Sequence, residues 1–429
     1  MLQKNRYLYF LLNWAIVSLG GENMKKTKTF ILIVASAFLL MACRSNGAGV
    51  QDGKLPSGGE KTDLATSEGQ EVMKTRLDAV SKAYDGIDLE SVSFTSVTSG
   101  VNLNYKANLE MDQLGKINLE AGVKGFGAKV EMKAAKDGKN AKASVSAKTT
   151  GGNITVKGTI PGKEQGKTAD INASLSLSGI EANAYLSGSK TYVDMSSKGN
   201  ETFVKNAETF ANKLMDQVNN SMFSAYTMYL AQADGIGEVY DAKTGHFNLL
   251  TAYNKYLPEK KIAIDGYEPV QWPSISTKDM EETPISVDNI NEAIKALAQM
   301  KIGLELVTYK NDSFGLTASL DKESFIALLQ ATGYAEGNSM YTALPNMFTN
   351  LKCNVSAFFN KDNLLESVGF AYECDAKIDS SFLRSMGMTE QSFKAFDMSY
   401  SLKAEETVSI KYNGIDVKLP DFSDYKAVK

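Results

Sequence analysis

From Val101 the chain alternates for twelve residues. Val101, Leu103, Tyr105, Ala107, Leu109 and Met111 are apolar, and Asn102, Asn104, Lys106, Asn108, Glu110 and Asp112 between them are polar. A period of two means a β-strand with one dry and one wet face. The rhythm returns in Ile117–Val123, Phe126–Met132, Ala141–Ala147, Ile154 with Val156, and Ile171–Leu177. Turn signals separate these runs at Asp137-Gly138, Gly151-Gly152-Asn153 and Pro161-Gly162. Ala182–Leu186 and Thr191–Met195 close the series as a hairpin. Strand after strand with short turns and no helix between them predicts an antiparallel meander.

Two stretches on either side carry the helical period instead. Met73, Leu77, Val80 and Tyr84 fall on one helix face, stopped by Asp85-Gly86. Phe203, Ala207, Phe210, Leu214 and Val218 form a second stripe, continued by Met222, Tyr226 and Tyr229, which reads as core or as the wall of a ligand site. Residues 233–286 hold aromatics without periodicity and read as an ordered insertion or lid, with Trp272 as lid tip or packing residue. Asp288 is then the expected cap of a helix with Ile290, Ile294 and Leu297 inward, and Asp321 of another with Phe325, Leu328 and Leu329, ended by Gly333. Further strands are predicted over 302–307, 314–320, 351–359, 368–374, 399–403, 408–412 and 415–418, with a helical piece over 380–394.

The beginning of the chain changes the picture. Lys25, Lys26 and Lys28 precede a charge-free run from Phe30, which ends in Leu40-Met41-Ala42-Cys43. That sequence resembles the lipobox of bacterial lipoproteins, so residues 24–42 read as a lipoprotein signal peptide and Cys43 as the lipidated residue. Everything after Cys43 is then expected on the extracytoplasmic face of the cell membrane, tethered through the lipid. Residues 1–23 remain open between an untranslated leader, with Met24 as the true start, and an unusually long signal region. Residues 43–69, rich in Gly, Ser, Asp and Lys, read as a flexible tether, and 70–429 as a single domain with a helical insertion over 201–300.

Charge and chemistry exclude more than they name. Removing the five basic residues and one acid of positions 1–43 takes 46 Lys+Arg and 50 Asp+Glu to a net charge of −8, a balance that does not seek nucleic acid. One histidine, His246, makes Ser-His-Asp catalysis and multi-histidine zinc sites poor readings, and no metal or cofactor is expected. The glycines of Gly122–Gly127 lie between alternating strands, not between a strand and a helix, so they read as turn and packing glycines. No paired acids stand in a catalytic context, and no catalytic residue is assigned. Cys353 and Cys374 fall on the same strand face. A register that pairs Phe359 with Val368 sets them directly opposite, whereas one shorter by two makes them diagonal neighbours. A disulfide and two buried free thiols both remain open.

The order of lipidated cysteine, tether, helix, long meander, helical middle, further strands and the closing Val417–Tyr425 resembles the LolA/LolB-like lipoprotein-carrier superfamily and the related mycobacterial lipid-carrier lipoproteins. The hairpin Ala184–Met195 and the closing segment carry the residue-level likeness. The resemblance implies an α+β fold: a large curved antiparallel sheet, a half-barrel, with helices on its concave face. It also implies a cavity for a lipid or other hydrophobic ligand. The apolar face of the meander and the helical stripe supply the candidate lining: Leu103, Tyr105, Val130, Ala143, Val145, Leu175, Phe210 and Leu214. The rival reading is a surface or adhesion lipoprotein whose sheet is filled by its own helices and which binds no small molecule.

Overall fold

The computed structural model describes residues 54–85, 87–111, 115–233, 236, 239–265, 272, 286–331, 346–385 and 395–428. The signal segment, Cys43, Gly86, Gly333, most of 266–285 and residues 386–394 lie outside these. The chain runs β1 (Glu60–Thr62), α1 (Ser67–Asp85), β2 (Ser91–Met111), β3 (Gly115–Asp137), β4 (Asn140–Pro161), β5 (Thr168–Ser176), β6 (Glu181–Ser187) and β7 (Lys190–Asp194). The helical middle follows as α2 (Lys198–Asn219), a 3-10 helix (Met222–Gln232), a small hairpin of β8 (Tyr240–Asp241) and β9 (His246–Phe247), and α3 (Leu249–Tyr256). After β10 (Lys261–Ile264) come α4 (Val287–Gln299), β11 (Gly303–Thr308), β12 (Phe314–Asp321), α5 (Lys322–Ala331), β13 (Phe348–Phe359), β14 (Leu365–Asp379), α6 (Ser380–Ser385), β15 (Ala395–Tyr412) and β16 (Lys426–Val428).

Fourteen strands form one sheet, in the order β1-β11-β12-β13-β14-β15-β2-β3-β4-β6-β7-β10-β16, with β5 paired to the far half of β4. Every pairing in it is antiparallel except β10 with β16. The sheet does not close; β1 and β16 end the run of strands, and β5, paired only with β4, is a further edge. The fold is α+β, a curved sheet with helices, as expected.

Several strands are longer than the alternation predicts. Ser91–Gly100 joins 101–111 in a single strand, and the runs at 117–123 and 126–132 are likewise one strand, as are 141–147 and 154–156, and 399–403 and 408–412. The first three are interrupted by a bulge at about the same height: near Gly100 in β2, Lys124-Gly125 in β3 and Thr150-Gly151 in β4, while β15 runs through in unbroken register with Ala404 opposite the β2 bulge. Gly100 and Gly125 sit at φ +62° and +63°, a left-handed conformation that glycine enters without steric cost. A bulge shifts the parity of inward residues, so a period-two reading restarts there, and it bends the strand. Three bulges in a line across neighbouring strands therefore crease the sheet.

Inward residues keep to one face across the crease. Above it, α1 and α4 close a cluster built on Met73, Ile290, Leu306, Phe314, Val368 and Val408. Below it, Leu214 and Val218 of α2, with Phe223, cover Ile117, Ile160 and Ile171. The Gln217 amide bonds both Asn172 N–H and Asn172 C=O (3.0 and 3.1 Å), covering the free edge of β5 as another strand would.

Four expectations need correction. Ser286, not Asp288, caps α4, its hydroxyl accepting from Asn289 N–H, because Asp288 already lies in the first turn. Residues 415–418 form no strand; they cross the outer face as a strap. The tether is shorter than 43–69, because Glu60–Thr62 satisfies the otherwise unpaired edge of β11. The Tyr309 hydroxyl donates to Pro56 C=O at 2.8 Å in the same segment. The Cys353–Cys374 disulfide does not form either. Ala357 pairs with Val368, which sets Cys353 opposite Tyr372 and Cys374 opposite Leu351, so the cysteines are diagonal and both thiols are free.

Candidate functional site

The register brings six of the eight candidate residues to the inner face of the sheet. Leu103 pairs with Val123, Val123 with Ile154 and Ile154 with Leu175; on the other side Leu103 meets Leu402, and Leu402 meets Cys374. One apolar row thus crosses six strands. The next row runs Ala376, Tyr400, Tyr105, Ala121, Val156 and Ala173. Val130 and Val145 lie on the same face above the crease, in rows with Ala147 and Met132.

Burial separates the candidates. Ala143 packs against the upper cluster and Leu214 into the lower one. Leu175 is buried; Leu103, Tyr105, Val130, Val145 and Phe210 are half-buried. Tyr372, on the same face, is 40% exposed. Between the two packed clusters the inner face is therefore a continuous greasy wall that the described helices cover only in part.

The wall is electrically quiet. Burial pushes the phenols of Tyr372 and Tyr400 and the thiols of Cys353 and Cys374 above their ordinary values, so all four stay neutral near pH 7. One charge interrupts it: Glu406, opposite Thr98, accepts from the buried Ser96 hydroxyl at 2.7 Å. Sequence reasoning passed over Glu406 because the charged Glu405-Glu406 pair interrupts the apolar alternation of β15, although Glu406 shares the parity of Leu402 and Val408 and so faces inward with them.

Other singled-out residues resolve into packing. Trp272 packs on the upper cluster and its indole N–H donates to Leu89 C=O at 2.6 Å, which is the packing reading, not a lid tip. His246 Nε2 meets Asp216 Oδ1 at 2.7 Å on the surface of the helical middle. A Cβ on Gly122 would stand 2.4 Å from Leu103 C=O, so that glycine serves close strand packing. Among the described residues no group of three or more His, Cys, Asp or Glu side chains could hold a metal ion.

Three clefts lie elsewhere. One of about 680 Å³ and one of about 550 Å³ open on the outer, polar face; a third of about 480 Å³ runs between α2 and α3, past Phe203, Leu249 and Tyr256. None of the eight candidate residues lines any of these three.

No protein-family profile matches the sequence, and no curated protein does either. Among solved structures, the chain is similar to a β-barrel-like protein of a domain of unknown function (DUF1849) from Brucella abortus. The two are 10% identical over 77% of this chain and 100% of that one, with a TM-score of 0.12. It is also similar to a FadL homologue from Pseudomonas aeruginosa, 5% identical over 76% of this chain and 91% of that one, with a TM-score of 0.14. Likeness at that level carries nothing about what this chain binds.

Proposed function

We propose that the protein is a membrane-anchored extracytoplasmic lipoprotein, lipidated on Cys43, which binds a lipid or other hydrophobic ligand against the inner face of its sheet. The observation that supports this reading is the partly covered apolar wall between the two packed clusters. Exposed apolar surface that runs on across several strands gains free energy by taking up a hydrocarbon chain, about 0.8 kcal/mol for each methylene removed from water. The two rows through Leu103 and Tyr105 carry small side chains at Ala121 and Val123, both half-buried.

A second reading has its own support. The upper half of the inner face is filled by α1 and α4, and the three clefts lie off that face, as a surface or adhesion lipoprotein without a small-molecule ligand would have it. Native mass spectrometry of the protein purified from membranes separates the two. The binding reading expects a co-purifying lipid, and occupancy that falls in Ala121→Trp with the melting temperature preserved. Clean apo-protein recovered repeatedly from lipid-rich extracts would overturn it. Ala121 is the better probe than Ala143, which already abuts the packed cluster. Cys43→Ala should move the protein to the soluble fraction, and retention on the membrane would contradict the anchor.

A further inference from the structure

The largest of the three clefts lies on the outer face of the sheet, beneath the strap that follows β15. The strap begins at a tight turn, Asn413 and Gly414 at φ +60° and +67°. Asn413 N–H donates to Ser91 C=O at 2.7 Å and Ile415 N–H to the Ser91 hydroxyl at 2.9 Å. Val417 is buried, and farther on Phe422 stacks on Tyr192 at 3.6 Å, so the strap is fastened at both ends. Between these fastenings it roofs the wet sides of β15, β2, β3 and β4.

The register fixes what lies on the floor. Lys411, Ser93, Lys133 and Ser144 stand in one row, and Ser409, Thr95 and Glu131 in the next. Strands stand about 4.8 Å apart, so the Lys411 and Lys133 backbones are about 10 Å apart, with Ser93 midway, and both ammonium groups can reach one small anion there. Lys129 and Lys133 share the Glu131 carboxylate at 3.2 and 2.8 Å, while Lys418 and Asp416 border the cleft from the strap, exposed and paired with each other at 3.7 Å. Four lysines against two acids leave the lining at a net +2, in a chain whose formal charge is −4.

One group on this floor is unexplained by the fold. Ser409 is 2% exposed, and its hydroxyl has no hydrogen-bond partner. Its neighbours Val408 and Ile410 point into the inner cluster, so Ser409 faces the cleft, which it lines. A buried polar group without a partner is uncommon and calls for an acceptor or donor from outside the chain.

From the cleft, its positive balance and the orphan Ser409 hydroxyl, we infer a binding site for a phosphate monoester, the group held by Lys411, Lys133 and Lys418 and accepting from Ser409 and Ser93. A monoester near pH 7 carries close to two negative charges, which matches the lining. The hydrophobic ligand of the inner face is a separate matter, since the two sites lie on opposite sides of the sheet.

Calorimetric titration of the purified protein with glycerol 3-phosphate and inorganic phosphate, together with flotation on phosphatidylcholine vesicles with and without phosphatidic acid, tests the site and its source. Binding of the soluble ester assigns a free phosphorylated molecule; binding only to phosphatidic-acid vesicles assigns a lipid headgroup. In either case Ser409→Ala and Lys411→Gln should each weaken binding at least tenfold. Ser409→Ala alone should leave the unfolding midpoint unchanged or raise it, because the unpartnered hydroxyl is gone. Lys148→Gln, on the same face but outside the cleft, should have no effect. Failure of all probes to bind, equal loss in Lys148→Gln, or indifference to both cleft substitutions would overturn the site.

Discussion

Tyr84 of α1 and Tyr412 of β15 show how one side-chain pair ties the first helix to the sheet. Their hydroxyls meet at 2.7 Å, and Leu365 N–H donates to the Tyr84 oxygen at 3.3 Å. Burial pushes both phenols above their ordinary value, so both stay neutral near pH 7. Tyr84→Phe strands two groups, the Tyr412 hydroxyl and Leu365 N–H, and should cost about 1–3 kcal/mol in urea unfolding. Tyr412→Phe strands none, since Tyr84 still accepts from Leu365, and should cost less. Equal losses would show that the contact is packing alone. Tyr84 was legible as the last member of a helical stripe; its partner, far along the chain, was not, because no local pattern encodes a contact between distant segments.

At the scale of the element, α6 begins at a cap that pH can remove. Asp379 Oδ1 accepts from Ser381 N–H and Phe382 N–H (2.9 and 3.1 Å) and from the Ser381 hydroxyl, and these bonds lower its carboxyl to about 2. A pKa depressed on folding contributes stability that is present above the unfolded value, near 4, and lost as pH falls towards 2. Amide exchange at Ser381 and Phe382 should accelerate over that window and be pH-insensitive there, beyond the intrinsic rate, in Asp379→Asn. Unchanged protection of the wild type at pH 2 would contradict the cap. A helical piece at this place was readable from the sequence, as was Asp321, whose carboxylate accepts from Ser324 N–H at 2.9 Å at the start of α5. The bulges were not. Gly151-Gly152-Asn153 has the composition of a hairpin turn and forms a bulge within β4, since what separates the two is whether neighbouring strands continue past it.

For the whole molecule, the strap joins the middle of the sheet to one of its edges. It runs from β15, in the middle of the sheet, to β16 at its edge, and Phe422 packs among Tyr185, Tyr192 and Tyr425 on the way. Lys261 and Asp424 add an ion pair at 2.6 Å. Phe422→Ala should cost about 2 kcal/mol, less than a fully buried ring, and should expose the β10–β16 amides to exchange ahead of global unfolding. Simultaneous exchange of these with the central strands would show that the edge is not an independent unit.

The sequence alone determined the secondary structure class, the antiparallel pairing of neighbours and the identity of the dry face, because side-chain alternation is a local consequence of backbone geometry. Tertiary structure decided the rest. Joining of β15 to β2 merges the early and late strands into one sheet, and that pairing spans nearly the whole domain in sequence. The same long-range registers set Cys353 beside Cys374 on the diagonal, lined up the three bulges, and left Ser409 facing an outer cleft. Each of these depends on which residue lies opposite which across strands remote in sequence, and alternation is silent on that choice because it looks the same in every register of equal parity.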